Sequence, residues 1–129
     1  MIGINKVYLN KHNFIEILVN GDQTAESVQA MADQAVELSN IQRADNKPVL
    51  ILDNLTKIGA VPPDARKRVV ELAKSLQYDK LAMLGKGTAI RLGANLMLQA
   101  IGKGQSVKYF DDYDKAVAWL RTGQKALKL

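Results

Sequence analysis

The chain contains no cysteine. That excludes disulfides, thiolate nucleophiles and cysteine-ligated metals together, and it fits a reducing compartment. There is a single histidine, His12, in the polar stretch Asn10-Lys11-His12-Asn13. A lone imidazole has no second metal ligand of its kind and no partner for a Ser-His-Asp relay. Aromatic residues make up 5% of the 129 positions. None is interleaved with the basic run Arg66-Lys67-Arg68, so the stacking surface of a nucleic-acid binder is missing and nucleic acid is not an expected partner. No apolar run approaches the length that crosses a bilayer. Residues 1–6 have neither the long apolar core nor the small-residue cleavage site of a secretory leader, so a cytoplasmic protein is expected. There is no repeat, no linker and no low-complexity stretch.

What is present is ordinary for a globular domain: 47% hydrophobic and 24% charged residues. The length suits one domain, expected over residues 1–122, with a short basic tail at 123–129. The net charge of +5 is unevenly spread. Residues 1–55 carry 4 Lys/Arg against 7 Asp/Glu, and residues 56–129 carry 14 against 6. The basic half reads first as solvated helix faces; it could also attract an acidic partner or an anionic surface.

The stretch Pro48-Val49-Leu50-Ile51-Leu52-Asp53 organises the rest. Four apolar residues in succession leave no polar face, as in a strand covered on both sides. Before it, residues 7–9 and 14–19 flank a polar turn and predict a hairpin, with Ile15, Ile17 and Val19 on one face and Phe14, Glu16 and Leu18 on the other. Thr24 is a good N-cap for an amphipathic helix over about 24–42, its stripe made by Val28, Met31, Ala32, Ala35, Leu38 and Ile41. Residues 55–61 read as a loop bending at Gly59. Pro62-Pro63 opens a second helix, its buried face Ala65, Val69, Leu72, Ala73 and Leu76. A strand at 80–84, a third helix at about 89–101, a strand at 107–110 and a last helix to about Leu120 follow, the last capped by Asp111 or Asp112. Strand-helix alternation of this kind predicts an α/β fold. Its sheet has five mostly parallel strands in near-sequential order, with an antiparallel first strand and four helices.

Several places invite chemistry. Gly85-Lys86-Gly87-Thr88 lies between a strand and a helix, where free N–H groups and the helix dipole favour anions. It is not a P-loop, since Lys80 stands where the first glycine belongs and Gly87 where the hydroxyl belongs. The plainer reading is an ordinary turn with Thr88 as cap. Arg91 follows as a further anion contact. Asp53 closes the strand as read here, where it is either a turn-forming residue or a functional acid. Asp111, Asp112 and Asp114 lack the spacing of a calcium loop and read as helix caps, so no metal is expected. The third helix is apolar nearly all round, through Ile90, Leu92, Leu96, Met97, Leu98 and Ile101. Such a helix is normally buried on all sides, so Ile90, Leu92, Leu96, Met97 and Ile101 are expected in a core, an apolar pocket or a partner surface.

Three motifs together resemble the SpoIIAA-like branch of the STAS family: Asn20-Gly21-Asp22, Pro48-Val49-Leu50-Ile51-Leu52-Asp53, and the run from Val107-Lys108-Tyr109-Phe110-Asp111-Asp112 to Ala116-Val117-Ala118-Trp119-Leu120. The resemblance covers about residues 5–122. It implies a near-sequential sheet and regulatory work by protein contact, as in the members that antagonise anti-sigma factors; some relatives look like lipid-carrying CRAL-TRIO domains. The phosphorylation-switched members carry a serine where this chain reads Ala60-Val61-Pro62-Pro63-Asp64, so that switch is missing here. The resulting expectation is a non-catalytic interaction or regulatory module without a cofactor, bound to another protein or to itself as a homodimer. One alternative is a carrier or sensor of a small apolar or anionic-lipid ligand, its head met by Lys86, Arg91 or Lys103. Another is an enzyme using Asp53 and Lys86 on a phosphorylated substrate. The four strand residues at 49–52 are further expected to find part of their shelter outside the chain.

Overall fold

A computed structural model describes residues 4–102 and 104–122. Lys103 and the tail at 123–129 lie outside the described residues.

The elements run β1 (Lys6–Leu9), β2 (Ile15–Gly21), α1 (Ala25–Ala44), β3 (Leu50–Ile58), α2 (Pro63–Ser75), β4 (Lys80–Leu84), α3 (Thr88–Ile101), a short 3-10 turn (Gly104–Ser106), β5 (Val107–Phe110) and α4 (Tyr113–Arg121). The five strands form one sheet in the order β1-β2-β3-β4-β5. β1 is antiparallel to β2 and the other pairings are parallel. The predicted architecture is the observed one.

Local chemistry starts each helix. The Thr24 hydroxyl accepts from the Ser27 N–H, and the Ser27 hydroxyl accepts from the Thr24 N–H, a reciprocal cap in which serine takes the place usual for glutamate. Asp112 caps α4 by accepting from the Lys115 N–H. At α3 the cap is Gly87, not Thr88; its φ of 91° is a conformation that a side chain would disfavour.

Parallel neighbours joined by right-handed crossovers place their helices on one face of the sheet. Accordingly α1, α2 and α3 cover Ile15, Ile17, Val19, Val49, Ile51, Leu81 and Met83. α4 follows the last strand and is no crossover. It lies on the opposite face, where Ala116, Val117 and Leu120 close over Phe14, Leu50, Leu52, Ala82 and Leu84. Lys80 holds its end: the ammonium donates to the carbonyls of Trp119 and Thr122 and sits over the Trp119 ring.

Val49, Leu50, Ile51 and Leu52 are therefore all buried by their own chain, each worth about 2 kcal/mol of transfer free energy. The expectation that they need shelter from outside is overturned, because α4 supplies the second cover. Two smaller expectations also change. β3 does not stop at Asp53 but runs on to Ile58, since beyond a bulge at 18–20 Asn20 and Gly21 pair with Lys57 and Ile58. The chain then leaves through Gly59, where a Cβ would lie 2.8 Å from the Gly21 carbonyl carbon and 2.9 Å from the Asp22 nitrogen. On α1 the buried stripe ends in Ser39 and Gln42 while Ile41 is exposed. Ser39 returns its hydroxyl to the Ala35 carbonyl and Gln42 donates to the Asn13 carbonyl, so both polar groups are satisfied.

Candidate functional site

The extension of β3 turns Asp53 from a strand end into a mid-strand residue. Alternation along the strand puts Val49, Ile51, Asp53 and Leu55 on the face beneath α1–α3. Asp53 lies in register between Ile17 of β2 and Met83 of β4. These strands and the overlying helices border a half-open cavity of about 130 Å3. Its walls are aliphatic: Val28, Met31 and Ala35 from α1, Val69 and Leu72 from α2, and Met97 from α3 are among them.

Two polar side chains line this cavity, Gln23 and Asp53. Gln23 is fully engaged. Its amide donates to Asn5 and to the carbonyls of Asn20 and Gly21, and its oxygen accepts from Asn5 and Ser27. The Asp53 carboxyl has no hydrogen-bond partner among the described residues. It sits deep in the protein, yet keeps part of its surface open to the cavity. Burial alone pushes its pKa up from 3.8 to about 7, because an apolar setting without a counter-charge disfavours the carboxylate. Such a group can give or take a proton near neutrality, or hold a cation.

The other candidate residues lie elsewhere. Gly85 closes the turn after β4, its N–H donating to the Phe110 carbonyl at 3.0 Å. Lys86, Gly87 and Thr88 are exposed. Arg91 pairs with Asp111 and stands over the Tyr109 ring, 5.8 Å from its centroid. Lys86, Thr88 and Arg91 do not line the Asp53 cavity, so the anion loop and the acid form no single site.

α3 departs most from expectation. Ala94 and Ile101 are buried, and Ile90 and Met97 partly so, but Leu92 is 59% and Leu96 68% exposed. The helix packs along the side of α2 and over the β5 edge, leaving one apolar face bare. Ile90, Leu96 and Met97 line a groove of about 320 Å3 between α3 and α2, with Val70, Arg66 and Val61 opposite.

Sequence reasoning missed the cavity walls, although the alternation of Val49, Ile51 and Asp53 was a readable signal. It also gave His12, in its polar turn, no partner. The imidazole is half-buried, close to Phe14 and Tyr113, and its Nδ1 lies 2.7 Å from an Arg121 nitrogen. A guanidinium only donates, so Nδ1 is the acceptor. Desolvation, and then Arg121, lower its pKa.

The profile of the SpoIIAA-like family matches residues 14–121. The chain belongs to that family. Among solved structures, it is similar to an uncharacterised protein of the DUF3478 family from Shewanella loihica that has a SpoIIAA-like fold. The identity is 16%, the TM-score 0.58, and the match covers 91% of this chain and 92% of that one. No curated protein matches the chain. In this SpoIIAA-like chain the segment before α2 carries no hydroxyl, and Pro62 caps the helix without a side-chain hydrogen bond. Among the described residues no helix is long and apolar enough to cross a membrane, and no cluster of acidic residues and histidine is arranged to hold a metal.

Proposed function

We propose that this SpoIIAA-like chain is a non-catalytic regulatory module that works by protein contact, and that its contact face is the α2–α3 side. One observation carries this: Leu92 and Leu96 stand 59% and 68% exposed beside an apolar groove. Exposed side chains of this size, grouped on one helix, mark a surface that a partner covers. Arg66 lines the same groove, and residues 56–129 carry 14 basic against 6 acidic side chains. The partner therefore presents apolar side chains set among carboxylates. A second copy fits less well, because it would bring two basic faces together. Without a hydroxyl between Lys57 and Arg66, contact is not switched by phosphorylation there.

The chain has no native cysteine, so Leu96→Cys gives a unique attachment point for a photo-crosslinker, with Glu37→Cys on α1 as control. The expected result is a partner captured from position 96 and not from 37. Reconstituted with the purified chain, it should bind at least tenfold more weakly to a Leu92→Ser/Leu96→Ser double variant and weaken with salt. Equal capture at both positions, or unchanged affinity of the double variant, overturns the proposal.

The cavity under α1 and α2 favours a second function, carriage or sensing of a small apolar ligand. Its one charged lining group is the Asp53 carboxyl, which does not suit an anionic head.

A further inference from the structure

We propose that the cavity beneath α1 and α2 binds a small apolar primary amine, its ammonium held by the Asp53 carboxylate and its hydrocarbon part by the aliphatic walls. This rests on the carrier reading and assigns it a ligand class.

The charge decides the class. A buried carboxylate needs a counter-charge or several donors, and this one has neither among the described residues. The charged side chains of the surrounding elements cannot supply them: of the acids and bases on α1, α2, α3, β2 and β4, none lines the cavity. Gln23, the one polar neighbour, has its donors committed to Asn5, Asn20 and Gly21. An alkylammonium brings both a positive charge and three donors. An alcohol brings one donor and no charge, and a fatty acid would set two carboxyl groups against each other.

The space decides the size. A cavity of about 130 Å3 is close to one of about 150 Å3 that holds benzene. A five- or six-carbon amine fills it; a long lipid chain does not.

The geometry also fixes a proton balance. Free Asp53 is partly protonated near neutrality. The ammonium selects the carboxylate, so binding expels the carboxyl proton to solvent, and no bond in the ligand changes.

The test is isothermal titration of the full chain with n-hexylamine, 1-hexanol and hexanoate, alongside Asp53→Asn and Ala32→Leu. At pH 8 the amine should bind saturably and at least tenfold more tightly than the alcohol, with hexanoate weakest. Asp53→Asn, which removes a buried charge and so retains the fold, should bring amine affinity down to that of the alcohol. Affinity for the wild-type chain should fall about tenfold for each pH unit below 7. Net proton release should show in buffers of different ionisation enthalpy. Ala32→Leu, which fills the cavity, should weaken amine and alcohol alike. Alcohol binding as tight as amine binding, or an amine affinity indifferent to Asp53→Asn, overturns the amine assignment but leaves a carrier of neutral apolar ligands. No saturable binding of any probe overturns both.

Discussion

Glu16 and Asp53 are two inward-facing acids on neighbouring strands, pointing to opposite faces of one sheet. In register Glu16 sits beside Leu52, and Asp53 beside Ile17. Glu16 is 6% exposed, and its two oxygens accept from the side-chain amides of Asn10 and Asn54 at 3.0 and 3.3 Å. Asp53 has no such donors and looks into a cavity. A polar group that the fold has satisfied belongs to the fold. One buried without partners is a cost the fold carries for another purpose. The α4 face is finished structure, and the face beneath the other helices leaves a carboxyl without a partner beside a cavity.

The contrast can be broken in four ways, from the largest expected effect to the smallest. Leu120→Ala on the closed face opens a void under α4 and should cost about 3–4 kcal/mol in urea unfolding. Val28→Ala, which borders a space already present, should cost about 1–2 kcal/mol. Equal costs would mean that the two faces are packed alike.

The second effect depends on pH. The folded-state pKa of Asp53 is raised from 3.8 to about 7. Between those values the folded chain holds a proton that the unfolded chain has lost. Its contribution to stability is therefore complete below about pH 4, falls as pH rises towards 7, and is flat above. Asp53→Asn removes that slope. Relative to the wild-type chain, the variant should gain about 2 kcal/mol between pH 5 and pH 8. A gain of zero would show that Asp53 is solvated.

The corresponding neutralisation on the other face, Glu16→Gln, should have the opposite sign at pH 8. It turns charge-assisted hydrogen bonds into weaker ones and sets an amide nitrogen against one of two donors, costing about 1 kcal/mol. A stabilised Glu16→Gln in the same urea series would erase the distinction between the acids. Asp111 completes the set as a half-exposed carboxylate paired with Arg91. Asp111→Asn should stay within about 0.5 kcal/mol of wild type.

Much of this was written plainly in the sequence. The apolar run at 49–52, the alternation in β2 and the strand-helix order give the sheet and its topology, because period and order are local properties. What was hidden depends on neighbours. Asn54, Thr56 and Lys57 look like turn residues, and only pairing with β2, Asn54 beside Leu18 and Lys57 beside Asn20, carries the strand through them. With the strand cut short, Asp53 read as a turn former instead of an inward acid. Ser39 and Gln42 do not look like core residues, and become so through acceptors at Ala35 and Asn13. The run of leucines in α3 said that the helix was greasy but not on which side it would be left bare. That is set by its place at the edge of the layer. Nothing in the apolar run itself said that α4 alone could close the second face.

The strictly sequential strand order has a consequence for how the molecule is made. Each strand needs only its predecessor, so the sheet can grow from the N-terminus as the chain is synthesised, with few long-range closures to wait for. The last helix is the exception: it must reach back over Leu50 and Leu52, some sixty residues upstream. Until Leu120 emerges, one side of a nearly complete sheet lies open to water, and a ribosome stalled shortly before that point would display a sticky plate fit for a chaperone.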